Sequence, residues 1–447
     1  MGAELLIVGF DRFLMGFSLF VHIILAVIGV ALPLIILIAE YLGIKYNDKD
    51  YAVLSRRLMV VFIVLFAVGS ASGILVAINL FLLWPTFMAL VGQVAILPVY
   101  IEVFAFFLES IFIGIYVYSR NKFAGKYSHV LAGIPIAIGA GMSAVMITML
   151  NAFMNTPVGF DIPTYLHNAT ITGVSPLAVF ASPSTGMEVV HVLVTSYFAG
   201  SFIFAGYMAY MLFRSNDEDK KRYYRKALAM ILAISTIFTF ASVITGSLSI
   251  SSLLTTQPEK FAAIEGNIYP QAFAPERIGG MLVGNTLQYY IPIPNLQSIL
   301  ATGSASGMVP GLASYPRDTW PPLFIHDLFD ILVFLGFAIG GFLLLIMLLN
   351  LIKKDPLGNG KVQLLLALCG VLALVLVETG WVMAEVGRQP WIIYNVMRVS
   401  QAANYSASVL PFTLAILLFY IFIMPFTVIV LKRIFGERPL EAELVNK

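Results

Sequence analysis

Nine stretches of this chain, roughly 13–39, 58–83, 94–118, 130–153, 186–213, 227–253, 323–352, 362–384 and 408–431, are apolar for long enough to cross a bilayer. A hydrocarbon layer about 30 Å thick is spanned by about 20 residues of α-helix, and in lipid only helices or closed barrels satisfy all of their own backbone hydrogen bonds. The sequence therefore predicts an all-α, polytopic membrane protein with nine transmembrane helices. Composition agrees, because 60% of the 447 residues are hydrophobic and only 11% are charged, too few to cover a water-soluble globule of this size. The first run, 27 residues long, follows Glu4, Asp11 and Arg12 and lacks a basic lead, so it reads as a retained spanning helix and not a signal segment. No fixed-period repeat breaks the pattern, and the simplest division is one membrane domain over 1–447.

Nine crossings put the two termini on opposite sides. The segments 40–57, 119–129, 214–226, 353–361 and the tail from Lys432 hold 20 of the 26 Lys and Arg, while the other side holds Arg12, Lys260, Arg277, Arg317, Arg388 and Arg398. The positive-inside rule then places the N-terminus outside and the C-terminus in the cytoplasm. The long connections at about 154–185 and 254–322 become external. The second is rich in Pro, Gly, Ser, Gln and Asn and is longer than a connector requires, so a binding or lid role is expected of it. A net charge of +2, with no basic run interleaved with aromatics, gives nucleic acid no electrostatic footprint. Cys369 is the only cysteine, which excludes an internal disulfide, a four-thiolate metal site and the paired cysteines of covalent haem attachment. Any metal must be held by other ligands.

Charged side chains at membrane depth cost about 2.5–3.5 kcal/mol each on insertion scales, so those present are functional candidates. His22, Glu102 and Glu378, counted from the helix ends at 1.5 Å per residue, come out at a shared level roughly 12–15 Å deep. Glu109 lies two helical turns from Glu102 on the same face, roughly 10 Å nearer the cytoplasm, an arrangement suited to proton supply. His191 falls near the outer end of its helix, where it can ligate a second centre. A lone membrane histidine also serves simply to hydrogen-bond a neighbouring helix, so His22 has two readings. Two carboxylates on one buried face are poor glue, because like charges repel, which favours proton handling for Glu102 and Glu109. His129 and His167, in connecting segments, are expected to be solvated surface residues. The pairs and singles Trp84-Pro85, Pro163 and Pro176 read as turn and helix-end punctuation.

The run Glu378-Thr-Gly-Trp381-Val-Met-Ala-Glu385-Val-Gly387-Arg388-Gln389-Pro390-Trp391 resembles the GWxxxExGRQPW signature of the large subunit of cytochrome bd oxidases. Ile101 to Ser110 is similar to that family's third-helix segment, Asn151 to Pro157 to its fourth-helix exit, and Gln257 to Glu265 to the start of its external quinol loop. The resemblance covers nearly the whole chain. It implies a low-spin haem b near the outer surface and two deeper high-spin haems, of b and d type, with the order of the two left open. By the same resemblance His22 and Glu378 match the high-spin ligands and His191 one axial ligand of the low-spin haem. Glu102 and Glu109 match the carboxylates linked to proton delivery, and Lys260 and Glu265 the quinol-loop pair. Trp381 and Arg388 of the signature join the cofactor-binding residues.

One stretch departs from the family pattern. Asp330 stands where an arginine is expected and Leu332 where the methionine ligand of the low-spin haem is expected, and leucine offers no atom to iron. His326, three residues into its helix and at about the depth of His191, can supply a second imidazole, or it can merely anchor the helix end. The resemblance implies a quinol:oxygen oxidoreductase, electrogenic without pumping, in a prokaryotic plasma membrane, paired with a second membrane subunit and using quinol and oxygen. A divergent paralogue with an altered low-spin haem and quinol site is one rival. A proton-coupled transporter using Glu102, Glu109 and Glu378 as relays is another.

Overall fold

The computed structural model describes residues 2–119, 122–123, 125–283, 286–352 and 354–445. Among these residues nine helices are long and apolar enough to cross a membrane. In chain order the helices are α1 (Gly2–Tyr46), α2 (Lys49–Leu83), the short α3 (Pro85–Val94), α4 (Ile96–Tyr118), α5 (Ser128–Asn155), the short α6 (Ile162–Asn168), α7 (Thr185–Arg214) and α8 (Glu218–Thr256). Then follow the short α9 (Pro258–Ile264) and α10 (Leu296–Thr302), α11 (Ile325–Leu351), α12 (Gly360–Val386), the short α13 (Val399–Ala402), α14 (Leu410–Glu437) and α15 (Leu440–Val445). Wherever an expected span overruns its helix it does so by no more than two residues. The expected third span begins at 94, but a break at Ala95 separates α3 from α4. Pro85 opens α3 at its first position, where a missing N–H costs nothing, so Trp84-Pro85 acts as the expected punctuation.

α1 and α7 form the inside of the bundle. α1 packs on α2, α5 and α7, while α7 also packs on α8 and α12. Lipid gives two apolar helices little reason to associate, so close backbone approach at small residues has to supply the contact. α7 buries Gly200, Ser201, Ala205, Gly206 and Ala209. Gly200 lies on Val27 and Ala31 of α1, and a Cβ on Gly206 would stand 2.9 Å from Cα of Gly370 and 3.1 Å from the Ala367 carbonyl of α12. These two crossings fix the register of three helices.

The two ends of the bundle differ. At one end the basic segments gather: Lys226 bridges Asp48 (2.5 Å) and Asp50 (2.9 Å), and Arg57 reaches Glu443 at 2.7 Å, tying the α1–α2 turn, α8 and the tail together. The segments 119–129 and 353–361 belong to this group but fall partly outside the described residues. At the other end the long connections build a cap containing α6, α9, α10, α13 and three two-stranded antiparallel hairpins. These are β1 (Glu276–Ile278) with β4 (Ile291–Ile293), β2 (Met281–Val283) with β3 (Thr286–Gln288), and β5 (Trp391–Ile393) with β6 (Met397–Arg398). The start of the 254–322 connection is packed, not loose: Ala262, Ala263 and Ile264 of α9 are buried against Ile325 of α11 and beside Met383 and Val386 of α12.

Because the Gly206–Gly370 crossing admits no Cβ, Gly206→Ala should push α7 from α12 and cost about 1–3 kcal/mol. Gly29→Ala, where a Cβ meets open space, should be neutral or slightly stabilising. Thermal unfolding of the detergent-solubilised protein checks this; equal melting temperatures for the two variants would refute the tight crossing.

Candidate functional site

Two histidines face neighbouring helices in the same way. His22 on α1 sets Nδ1 2.8 Å from Ser72 Oγ on α2, with Gly73 directly against its ring. His191 on α7 sets Nδ1 3.0 Å from Thr245 Oγ1 on α8, with Gly246 against its ring. In both cases a hydroxyl–glycine pair receives the imidazole, and Nε2 has no hydrogen-bond partner among the described residues. Glu378 on α12 is 7% exposed, and its Oε1 is buried without a partner. Trp381, one turn on, packs against the main hydrophobic core.

Register between helices corrects the expectation of one shared level. Gly206 of α7 against Gly370 of the antiparallel α12 brings Glu378 level with Phe198. Glu102 accepts a hydrogen bond from Ser143 of α5 at 3.3 Å, and the Asn155–Glu188 contact between α5 and α7 then puts it within about a turn of Glu378. His22 lies about five residues, roughly 7–8 Å, nearer the cap, close to the level of His191. The reason is the α1–α7 crossing at Gly200, which single-helix counting cannot see.

The same reasoning removes the equal depth of His191 and His326. Gly340 of α11 packs on Thr239 of α8 at 3.5 Å, and the two helices run in opposite directions. His326 therefore stands about eight residues, roughly 12 Å, nearer the cap than Thr245, the partner of His191. Iron–nitrogen bonds near 2 Å cannot bridge that gap. His326 is instead 1% exposed under the cap, where Nδ1 donates to the Ile264 carbonyl at 2.7 Å and Nε2 lies 3.5 Å from Asp330. At the His191 level α11 offers Leu332, packed against the apolar core.

Along α4 the acidic face continues further than the sequence suggested. Glu109, 5% exposed, sits where Gly139 of α5 lets the two helices close on it. Seven residues on, the Tyr116 hydroxyl donates to Glu40 of α1, and Glu40 Oε1 lies 2.5 Å from His129 Nδ1. His129 Nε2 donates to the Tyr116 carbonyl at 2.8 Å. The expectation of a solvated His129 is thus corrected, because Ser128 starts α5 and carries the ring inward. His167 is exposed as expected. Since Nε2 carries its hydrogen, the His129–Glu40 contact holds one further proton between nitrogen and carboxylate.

Under the cap two polar clusters flank α9. Arg388 donates to Glu385 (2.5 Å) and Asn155 (2.8 Å), Asn151 donates to Glu385, and Asn155 donates to Glu188 at 2.8 Å. Lys260 donates to the Ala384 carbonyl at 2.9 Å. Burial, with the Arg388 charge adding, pushes the Lys260 ammonium down to about 8, while Glu188 and Glu385 oppose the shift. Glu265 turns the other way, accepting from Gln297 at 2.8 Å. Burial, reinforced by Glu276, pushes its carboxyl up to about 8. Lys260 and Glu265 are both buried, in separate clusters on either side of α9. Glu188, Ser72 and Thr245 were not foreseen; a carboxylate in the first turn of an apolar span was the available signal for Glu188.

Among the described residues no three His, Cys, Asp or Glu side chains converge as a metal-ion cage. Single, unspent donors at His22, His191 and Glu378 suit iron already held in a macrocycle, which needs only axial ligands. The chain matches the family described as Cytochrome bd terminal oxidase subunit I over residues 10–439. A Bacillus subtilis (strain 168) protein provisionally named cytochrome bd menaquinol oxidase subunit I is 35% identical over 440 residues, covering 97% of each chain. Cytochrome bd ubiquinol oxidase subunit 1 of the same organism is 25% identical, covering 88% of this chain and 86% of its own. The solved bd oxidase from Geobacillus thermodenitrificans superposes with a TM-score of 0.90 at 40% identity, over 97% of this chain and 99% of that one. The chain, a multi-pass protein of a prokaryotic plasma membrane, belongs to the cytochrome bd terminal oxidase subunit I family.

Proposed function

We propose that this subunit oxidises quinol under the cap, at the outer face, and reduces oxygen to water within the bundle using protons drawn from the basic, cytoplasmic end. Charge then separates across the membrane without a pump. The observation that carries this reading is the ladder on α4. Glu102, Glu109 and Tyr116 recur every seven residues on one face, joined at the basic end to Glu40 and His129 and ending near the level of Glu378.

The residues divide by role. His191 would hold a low-spin haem b, and His22 and Glu378 the two high-spin haems of b and d type, with Trp381 and Arg388 beside them. Bound haem supplies the electron transfer and the oxygen chemistry. The protein supplies the rest. Tyr116, Glu40 and His129 would take up protons at the basic end, and Glu109 and Glu102 would carry them on, with water bridging the roughly 10 Å between successive groups. Lys260 and Glu265 stand on either side of α9, where a cation can donate to a quinol oxygen and a carboxylate can take its proton. The more similar Bacillus relative is named for menaquinol and the less similar one for ubiquinol, which favours menaquinol as the donor. A second membrane subunit completes the complex. Leu332 is the observation behind a narrower second reading, a divergent member with an altered low-spin site.

The purified complex should show reduced-minus-oxidised haem bands and quinol-dependent oxygen uptake, whereas a proton-coupled transporter would be colourless. His22→Ala and Glu378→Ala should each remove high-spin signal and oxygen uptake, and His191→Ala the low-spin band. A wild-type complex with no low-spin band at all would favour the divergent reading, and full haem content with full turnover in every variant would refute the ligand assignments.

Glu109→Gln should slow oxygen reduction while quinol still reduces the haems, because the ladder is cut below the site and not at the cap. Stopped-flow reduction set beside oxygen uptake reads the two separately; an undiminished uptake over a broad pH range removes the proton role.

Glu265 can accept a quinol proton only when ionised, and its carboxyl is pushed up to about 8. Quinol oxidation should therefore rise as pH climbs towards 8, and Glu265→Gln should flatten that rise while leaving haem content intact. A pH profile unchanged by the substitution would exclude Glu265 as the acceptor.

A further inference from the structure

Ser72 and Thr245 play no part in the proton ladder or the cap, yet each touches a ligand histidine. A hydroxyl has one hydrogen to give and accepts through its lone pairs. Ser72 Oγ lies 2.7 Å from the Gly69 carbonyl, and Thr245 Oγ1 lies 3.0 Å from the Ala241 carbonyl, each one turn back on its own helix. A carbonyl has no hydrogen, so at those distances the hydroxyl hydrogen is the one that lies between the two oxygens. The second contact of each hydroxyl, 2.8 Å to His22 Nδ1 and 3.0 Å to His191 Nδ1, must then be filled by the hydrogen on the ring nitrogen. With Nδ1 protonated, the neutral ring keeps its lone pair on Nε2, the atom without a partner.

The following residue completes the arrangement. A Cβ at Gly73 would stand 3.0 Å from Cε1 of His22, and one at Gly246 would stand 3.6 Å from Cε1 of His191. At Gly73 a side chain would crowd the ring, whereas at Gly246 it would make ordinary contact; at both steps the ring lies beside the glycine with Nδ1 at the preceding hydroxyl. The same Ser-Gly or Thr-Gly step occurs on two unrelated helix pairs, α1–α2 and α7–α8.

We propose that Ser72 and Thr245 are positioning residues that fix the tautomer and ring angle of His22 and His191, presenting Nε2 to haem iron and tuning the centre each ligates. This rests on the haem-ligand reading given above. An acceptor on Nδ1–H makes the imidazole a stronger donor and stabilises the oxidised iron, so removing it raises the reduction potential of that one centre.

The test uses the complete oxidase complex with Thr245→Val, Thr245→Ser, Ser72→Ala and Ser72→Thr. Redox titration should show the low-spin midpoint shifted to more positive values in Thr245→Val, and a high-spin midpoint shifted likewise in Ser72→Ala. Haem transfer to an apo-globin should be about 10- to 100-fold faster from the affected site. Thr245→Ser and Ser72→Thr, which keep the hydroxyl, should behave as wild type. If Thr245→Val does not assemble, Thr245→Ser and the Ser72 pair still decide. Unchanged midpoints and transfer rates in a haem-bearing Thr245→Val or Ser72→Ala complex overturn the proposal, as does equal loss in the hydroxyl-keeping variants. A wild-type complex without haem would instead overturn the functional reading beneath it.

Discussion

In hydrocarbon a polar atom without a partner has no water to turn to, and each such atom costs kilocalories. Many hydroxyls in this bundle are satisfied locally: Thr148 donates to the Ala144 carbonyl, Ser235 to that of Ile231 and Thr239 to that of Ser235. His22, His191, Glu109 and Glu378 keep an atom or a carboxylate unspent. Under the proposed function a proton or iron would complete them, and they lie on α1, α4, α7 and α12.

Close helix crossings decide how those groups lie relative to one another. Gly200 against α1 and Gly206 against Gly370 leave little room for sliding, and so set the level of His22 against Glu378. Gly139 does the same for α4 and α5 at Glu109. The carboxylate ladder depends on this: a helix repeats its face every seven residues only approximately, and tight pairing with α5 keeps Glu102, Glu109 and Tyr116 turned inward.

The cap works under a different balance. Lys260 and Arg388 are buried beside Glu188 and Glu385, two cations with two carboxylates, so the formal charges of this cluster balance. Removing one member leaves an uncompensated charge, which is more damaging than the pair is stabilising. On the far side of α9, burial first and the repulsion of neighbouring carboxylates second favour the protonated forms of Glu265 and Glu276, with Arg277 opposing. Under the proposed function, a donor that loses protons on oxidation would meet, on the two sides of one short helix, a cation and a carboxyl each brought to about 8.

Hydropathy by itself determined the nine spanning helices, because lipid demands about 20 apolar residues in each and little else in the chain could meet that demand. The α-helical period placed Glu102 and Glu109 on one face, and the signature around Glu378 to Trp391 pointed to Glu378 and to Arg388. None of this fixed relations between helices. His129 read as a loop residue until α1 supplied Glu40, 89 residues away, and Arg388 meets Asn155 across 233 residues. His191 and His326 looked level when each was counted from its own helix end, and only the packing of Gly340 on Thr239 separated them. Lys260 and Glu265 could be placed in a polar connection, but nothing in its sequence shows that its start folds down on the bundle and buries both. Local rules act over a few residues, whereas depth, partner and tautomer depend on which helix lies alongside, and that was decided by tertiary packing at a handful of glycines.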